Sequence, residues 1–515
     1  MARFKEHSYE QSRFIPVRFN EQILPGTIEY TINYLVDSEI DLSVFERRFR
    51  NDETGAPAYD PAVLLKIVLF AYSRGIISSR KIAQCCEENV VFMALSADTH
   101  PHFTTIADFI SSMEEEVVKV FTDVLTVCYA EGLIGKRMFA IDGCKLAANC
   151  AKEWSGTKAE LVKKAEKIEE AMRDVVKRHQ DGDGGGGESG GSREAEDERI
   201  QKLQAKAKKI RRWLDEHEDR IGEQGKPIKS NITDADSVKM PSAHGVIQGY
   251  NGLAAVDEKH QIVVAAEAFG QGTEAGQLKG MVERIGEEFE QLQPGEEIYG
   301  EVVLTADSGF HSEASVRELI EGEIEAYVAD RKFRKRDKRF EQAQEHKSRG
   351  VDGKRKAKKR KYFSAEEFVF DPNTGELMCP AGKQMNRRTP KFRNRARGYS
   401  GVGYIGKAEE CLACRMRQRC IRKPEVTKAR QVAKLQKEND GQKRSYTERM
   451  IERFDSVRGQ AFYRRRMGTV EPVFANIRST LGLNRFTLRG AGKVNIQWQL
   501  YCIVHNIGKL CRYAI

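Results

Sequence analysis

Residues 463–478 read Tyr-Arg-Arg-Arg-Met-Gly-Thr-Val-Glu-Pro-Val-Phe-Ala-Asn-Ile-Arg, so one carboxylate, Glu471, stands among arginines. Apolar residues follow it at helical spacing: Phe474, Ile477 and Leu481. Glu471 and Arg478 are seven residues apart and share a helix face, which can hold a metal ion and a phosphate side by side. Pro472 predicts that the helix starts or kinks at Glu471. Taken alone, the stretch is more typical of a solvated acid in a basic helix.

Charge is unevenly distributed along the chain. The 515 residues carry a formal net charge of +10. Residues 331–361 hold 16 Lys or Arg against four acids, a local charge of +12, and the remainder nets about −2. Such a tract is either a solvated segment or a site for a phosphate backbone. No run of 18 apolar residues and no apolar signal core occur, so we expect a cytoplasmic protein without membrane contact.

The first 130 residues have the pattern of a helical domain. Asp60 precedes Pro61, which suits a helix N-cap followed by proline at the first helical position. Two further helices are expected from Ser78 and from Thr104, each opened by a hydroxyl cap. Short helices that carry Arg80 and Lys81 fit a helix-turn-helix DNA-binding module. The alternative is a plain helical domain with solvated arginines.

Two short apolar runs end in an aspartate. Residues 138–141 lead to Asp142-Gly143, with Lys145 close behind, and residues 301–306 lead to Asp307. Buried strands that deliver an acid at the carboxyl end place metals and catalytic groups in α/β folds. For Asp142-Gly143 taken alone, a tight turn is the commoner interpretation.

The sequence predicts two insertions. Residues 157–222 have heptad-like apolar spacing on both sides of a glycine-rich loop at 181–191, which predicts an antiparallel coiled-coil hairpin. Residues 331–444 contain the basic tract, a predicted charged helix over 425–442 and four clustered cysteines: Cys379, Cys411, Cys414 and Cys420. Four thiolates with one Cys-x-x-Cys pair can hold a tetrahedral zinc ion. The alternative is reduced cysteines in a small β-rich insertion.

The three separated acids suggest one catalytic site. Asp142, Asp307 and Glu471 are flanked by bases, and convergent carboxylates can bind two Mg²⁺ or Mn²⁺ ions about 3.5–4 Å apart at a phosphodiester. One ion would activate a water or a 3′-hydroxyl, and the other would stabilise the leaving oxygen. The nearby bases would hold the nucleic-acid strand.

At this point the chain resembles, over nearly its whole length, the DDE transposases of bacterial insertion sequences. The front end resembles theirs at residues 49–55 and 59–61, and the first two acidic motifs lie at residues 140–145 and 304–312. The third motif is similar to the Tyr-Arg-Glu-Lys signature of one branch: Tyr463, Arg466, Glu471 and Arg478. Here the Arg466 to Glu471 spacing is one residue longer than in that signature. Arg478 stands where lysine is usual, and arginine also grips phosphate.

The resemblance implies an α/β protein with an RNase H-like mixed-sheet core at residues 131–330 and 445–515. The core follows a helical DNA-binding domain at 1–130 and carries the coiled-coil insertion at 157–222 and a β-containing insertion at 331–444. It implies a catalytic triad of Asp142, Asp307 and Glu471 with two Mg²⁺ or Mn²⁺ ions. The implied DNA contacts are Tyr463, Arg466 and Arg478, and Arg80, Lys81 and Lys145 are added as basic candidates.

The implied activity is cleavage at the terminal inverted repeats of the chain's own element and transfer of the freed strand to target DNA. The partner is double-stranded DNA, bound by a homodimer in the bacterial cytoplasm at the nucleoid. Two alternatives share the same residues: a metal-dependent nuclease of this fold that cuts without joining, and a non-catalytic DNA-binding regulator derived from a transposase.

Overall fold

The computed structural model describes residues 16–48, 57–182, 190–221, 225, 227–242, 245–272, 274–340, 362–371, 374–394, 399–437 and 445–515. It divides into two compact units. Unit 1 is Met1–Phe333 with Tyr446–Ile515, and unit 2 is Arg334–Ser445. Residues 49–55 of the resemblance and residues 341–361 of the basic tract lie outside the described residues, as does most of the glycine-rich loop.

Unit 1 begins with seven helices: α1 (Ile28–Ser38), α2 (Ser43–Glu46), α3 (Pro61–Ser73), α4 (Ser79–Glu88), α5 (Val90–Leu95), α6 (Phe103–Ser112) and α7 (Glu116–Ala130). The Asp60 carboxylate accepts the Ala62 N–H at the start of α3, at 2.8 Å, so that predicted cap is confirmed. The predicted hydroxyl caps are wrong for the next two helices. Ser78 makes no side-chain cap bond at α4, and α6 is capped by the His102 ring.

A six-stranded mixed sheet follows: β1 (Met138–Ala147), β6 (Val238–Ser242), β7 (Gly245–Asp257), β8 (Val263–Phe269), β9 (Val303–Ala306) and β10 (Ala326–Val328). The strand order is β10-β9-β1-β7, and both β6 and β8 pair with the other edge of β7. Pairing is parallel from β10 through β9 to β1 and antiparallel from β1 to β7.

Between β1 and β6 the chain forms two long helices and four two-residue strands: α8 (Lys158–Gly182), α9 (Gly190–Glu216), β2 (Ser155–Gly156), β3 (Arg220–Ile221), β4 (Pro227–Ile228) and β5 (Ser230–Asn231). The two helices pack against each other. They form a small apolar cluster of their own, which includes Leu161, Ile210 and Trp213.

Five further helices complete unit 1: α10 (Leu278–Leu292), α11 (Glu313–Glu321), α15 (Tyr446–Asp455), α16 (Val457–Ala475) and α17 (Ala491–Tyr513). Helix α17 packs on β8, α7 and α3, so the front helices and the sheet share one hydrophobic core. Helix α16 packs across β1 and β9. It passes through Pro472 and continues as a π-helical turn, Asn476–Thr480. Of the two alternatives predicted at Glu471, a helix start or a kink, the helix start is therefore wrong.

Unit 2 is a β-rich body with a separate core. Its five-stranded antiparallel sheet runs in chain order: β11 (Val369–Phe370), β12 (Leu377–Met378), β13 (Gln384–Asn394), β14 (Tyr399–Ile405) and β15 (Gln431–Lys437). Three short helices accompany it: α12 (Phe333–Arg336, which begins in unit 1), α13 (Ala408–Leu412) and α14 (Arg417–Cys420). The helix predicted over 425–442 is wrong for residues 425–437, because β15 lies there and pairs with β14. Residues 438–442 lie outside the described residues.

Membrane-spanning character is absent from the part of the chain that the structure describes. No helix there is both long enough and apolar enough to cross a bilayer.

Candidate active site

Strand register brings two of the predicted acids together. The parallel pairing of β1 with β9 ends where Ile141 lies opposite Ala306, and Asp142 and Asp307 are the next residues on the two strands. Asp142 does not end its strand, however. Strand β1 continues to Ala147 along β7, with Asp142 opposite Ala254, so both the strand-end and the turn interpretations of Asp142-Gly143 are wrong.

Asp142 is held by two donors. The Arg466 guanidinium donates from Nη1 to Oδ2 at 2.6 Å, and the Gly143 N–H donates to Oδ1 at 2.8 Å. Burial raises the pKa of Asp142, and the positive charge of Arg466 opposes that rise. Arg466 itself is only 7% exposed. Burial lowers the pKa of Arg466, but Asp142, Tyr463 and Asp307 together outweigh this effect, so its pKa is raised.

Asp307 lies at the start of a tight turn. The Gly309 N–H donates to Asp307 Oδ1 at 2.6 Å. A Cβ built on Gly309 would lie 2.9 Å from that same oxygen and 2.1 Å from Oε2 of Glu274. A side chain at position 309 would therefore collide with two carboxylates, which accounts for glycine there.

Glu274 is the acid that the sequence analysis missed as a site residue. Helix α10 begins at Leu278, and Glu274 lies in the preceding loop. Burial raises the pKa of Glu274, and the charge of Asp307 raises it further. A signal was present in the sequence: this acid stands in a glycine-rich stretch, Gly-Gln-Gly-Thr-Glu-Ala-Gly, at residues 270–276.

Among the described residues, no contact joins Glu471 to Asp142, Asp307 or Glu274. Its side chain is exposed on α16, after the buried Val470 and before the exposed Pro472, and it forms no hydrogen bond or ion pair with a described residue. Its role stays a prediction.

The predicted DNA contacts differ in their surroundings. Tyr463 is half-buried and packs edge-on against Phe454, and burial raises its pKa. Arg478 is exposed and lies near Cys144, two residues beyond Asp142. Lys145 is half-buried on β1, near Glu274. The last two, Arg80 and Lys81, are exposed at the start of α4, far along the chain from the acids.

Metal-holding geometry is not preformed. Within the described ranges, no group of three or more His, Cys, Asp or Glu side chains is arranged to hold a metal ion. At Asp142 a physical reason is visible, because the Arg466 guanidinium already occupies one carboxylate oxygen.

The four clustered cysteines line one cavity of about 40 Å³ in unit 2 and are free of disulfides. Cys379 and Cys420 also pack against the unit 2 core around Phe368 and Leu377. Their thiols are not among groups arranged for a metal in the described chain, so the zinc prediction has no support from the structure.

Comparison with protein families gives two matches. Residues 378–511 match a family described as "Transposase DDE domain", and residues 17–112 match one described as "Transposase domain (DUF772)". The first match includes Glu471 and the four cysteines, whereas Asp142 and Asp307 lie outside both matches. A search of curated proteins found no match to the chain.

Proposed function

The two matches indicate a DDE-type transposase of an insertion sequence, and we propose that it binds the terminal inverted repeats of its own element. It then nicks each end to free a 3′-hydroxyl and joins that hydroxyl to target DNA. Both steps are in-line phosphoryl transfers at one site.

The catalytic core is proposed to be RNase H-like. In support, β8, β7, β1, β9 and β10 lie side by side in this order, with antiparallel pairing on the β8 side and parallel pairing on the β10 side. Helix α16 lies across β1 and β9, which brings the third motif to the strands that carry Asp142 and Asp307.

The observation that carries the proposal is the register of β1 and β9, which makes Asp142 and Asp307 neighbours. Carboxylate oxygens are what Mg²⁺ and Mn²⁺ prefer, so the donors present suit these ions. Asp142 and Asp307 would hold them, with Glu471 as the third acid. Bound divalent ions would supply charge stabilisation and an activated water or hydroxyl. The chain's own residues align the acids and bring bases to the phosphate.

Positive side chains near the acids are proposed to hold the DNA. Arg478 and Lys145 lie beside the β1 segment that carries Asp142, so a phosphate bound there would be next to that carboxylate. Tyr463 and Arg466 precede Glu471 on the same helix. Arg80 and Lys81 on α4 are proposed to contact the terminal repeat within a helix-turn-helix module.

Two copies are proposed to act together on the DNA. Two transposon ends must be cut and joined, which requires two active sites held in one complex. The paired helices α8 and α9 are a candidate contact between copies.

The testing experiment is a cleavage and strand-transfer assay on DNA that flanks the gene, in Mg²⁺ and then with EDTA. We expect joined products that disappear with EDTA and with Asp142→Ala, Asp307→Ala or Glu471→Ala. Each variant must still unfold in one cooperative transition, above the assay temperature, for its loss of products to count.

Other outcomes would change the conclusion. Cutting without joining would favour the nuclease, and metal-independent binding alone would favour the regulator. Cleavage by Glu471→Ala at the wild-type rate would remove Glu471 from the triad without touching the aspartate pair.

A further inference from the structure

Three carboxylates converge beside β1, and the third is not the one expected from the sequence. Oε2 of Glu274 and Oδ1 of Asp307 lie 2.1 and 2.9 Å from the position of a Cβ on Gly309. The two oxygens are therefore within about 5 Å of each other, the sum of these distances. The charges of Asp307 and Asp142 both act on Glu274.

Glu274 has a polar partner but no cation in contact with it. The Asn251 side chain on β7 donates from Nδ2 to Oε1 of Glu274 at 3.1 Å. Among the described residues no ion pair to Glu274 occurs, and Lys145 acts on it only through its charge. Arg466 is committed to Asp142. Asp142 and Asp307 act on Arg466 through their charges, and Lys145 acts on Glu274 in the same way.

A buried oxygen next to the acids is unpaired. Asn251 is 1% exposed, and its Oδ1 has no hydrogen-bond partner in the described structure. A Cβ on Gly143 would lie 2.8 Å from this oxygen and 3.0 Å from the amide nitrogen, so the Asn251 amide lies beside the backbone directly after Asp142. An unsatisfied buried acceptor is destabilising, and a bound cation or its water would satisfy it. The donor set, carboxylates plus an amide oxygen, suits a hard divalent ion.

We propose that Glu274 is a further catalytic carboxylate, which binds a divalent cation together with Asp142 and Asp307 and is oriented by Asn251. This inference rests on the proposed function, because it assigns a ligand to the same site. Among the described side chains the acids are not preformed around an ion, so cation binding requires Asp142 to release an oxygen from Arg466. The acidic cluster is built by the sheet and the loop before α10, independently of whether Glu471 reaches it.

The test measures Mn²⁺ binding to the full-length protein without DNA, by titration calorimetry and by the Mn²⁺ electron paramagnetic resonance signal. The isosteric Glu274→Gln keeps an oxygen for Asn251 Nδ2, and Asp307→Asn serves as the positive control. Glu267→Gln is the matched control. Like Glu274, Glu267 is a half-buried acid, but it lies on β8 and its charged neighbours are Arg284 and Glu287 instead of the two aspartates.

We expect Glu274→Gln and Asp307→Asn each to weaken Mn²⁺ binding at least tenfold, and Glu267→Gln to leave it unchanged. Glu274→Asp, which keeps the charge on a shorter arm, should fall between Glu274→Gln and wild type and guards against a purely structural effect. If Glu274→Gln binds Mn²⁺ with wild-type affinity while Asp307→Asn binds it more weakly, the role of Glu274 is overturned and the proposed function is not. Unchanged binding in both variants would overturn the cation site and the proposed function with it.

Discussion

At the scale of single residues, the Arg466–Asp142 ion pair determines how the charge of Asp142 is balanced when no metal is bound. Arg466 is buried and donates to a carboxylate whose side chain is 22% exposed. An arginine in this position neutralises an acid that would otherwise repel Asp307 and Glu274. The same guanidinium must share Asp142 with any cation that binds there.

Removal of this arginine should destabilise the fold. We expect Arg466→Ala to lower the free energy of unfolding by about 2–4 kcal/mol, because it leaves Asp142 charged and uncompensated. Asp142→Asn in the Arg466→Ala background should recover part of that loss. Urea unfolding of the two single variants and the double variant measures the coupling.

The neighbouring arginine is the matched control for this cycle. Arg465 pairs with Glu258 at 3.1 Å and is 41% exposed, so Arg465→Ala should cost less than about 1 kcal/mol. Additive effects of Arg466→Ala and Asp142→Asn would show that the pair contributes nothing to stability.

The sequence predicted the site residues only in part, for a physical reason. Asp142 and Asp307 stand out because each follows a short apolar run, a local pattern. Glu274 lies more than thirty residues from Asp307 in the chain, and its approach is made by the sheet and by Asn251. No local pattern encodes such a contact. The resemblance predicts Arg466 as a DNA contact, whereas its burial against Asp142 depends on how α16 crosses β1.

At the scale of elements, the packing of α17 on the sheet depends on a missing side chain. The Trp498 indole donates from Nε1 to the Leu253 carbonyl at 2.9 Å, and its ring lies 2.9 Å from where a Cβ on Gly252 would be. Gly252→Ala should therefore push the helix from β7 and destabilise unit 1 by about 1–3 kcal/mol. Thermal unfolding measures the effect.

A glycine with open space around it provides the comparison. Gly280 in α10 has no neighbour within 4 Å of a built Cβ. Gly280→Ala should stabilise by about 0.5–1 kcal/mol, because alanine is the better helix former. A stabilising Gly252→Ala would contradict the close packing of Trp498.

The contact between α10 and α7 should respond to pH. Glu288 is 2% exposed and accepts the Thr122 hydroxyl at 2.7 Å, and burial raises its pKa from 4.5 to about 7. The folded state thus retains a proton that the unfolded state has lost. This contribution to stability is complete below pH 4.5 and is lost as the pH rises to about 7.

Glu288→Gln removes that dependence. At pH 8 the variant should be more stable than wild type by roughly 3 kcal/mol, and near pH 4.5 the two should be alike. Urea unfolding across this range measures the difference. The exposed Glu287→Gln is the control and should follow wild type at every pH. A difference between Glu288→Gln and wild type that does not change with pH would contradict the raised pKa.

Elements with strong local signals were predicted well, whereas those set by tertiary context were not. Asp60 and Pro61 start α3 as expected because cap and proline act within one turn. The charged segment over 425–442 looks helical by composition, but its partner β14 provides the ladder that makes β15 a strand. Likewise β1 runs on past Asp142 because β7 continues to pair with it.

At the scale of the whole molecule, the two units have separate cores and opposite charge. The apolar cluster around Phe368, Leu377 and Tyr404 belongs to unit 2, and the main core contains only unit 1 residues. Unit 2 holds 33 Lys and Arg against 13 Asp and Glu, a net charge of +20, so the rest of the chain nets −10. Attraction to a polyanion is therefore concentrated in unit 2, whereas Asp142, Asp307 and Glu274 lie in unit 1.

Excision of Arg334–Ser445 tests both properties in one protein. With a Gly-Ser linker of about 20 residues in its place, unit 1 should still fold cooperatively, because its core keeps every side chain. Its binding to random-sequence DNA should weaken, and the plot of log K against log salt should flatten by about 0.9 for each phosphate that unit 2 neutralises in the full-length protein. An unchanged slope would mean that the basic residues of unit 2 are solvated and touch no DNA. Failure to unfold cooperatively would mean that unit 1 needs unit 2 to fold. A flattened slope with an intact unfolding transition would assign the non-specific binding of DNA to unit 2. The acidic cluster of unit 1 would then have the catalytic role alone.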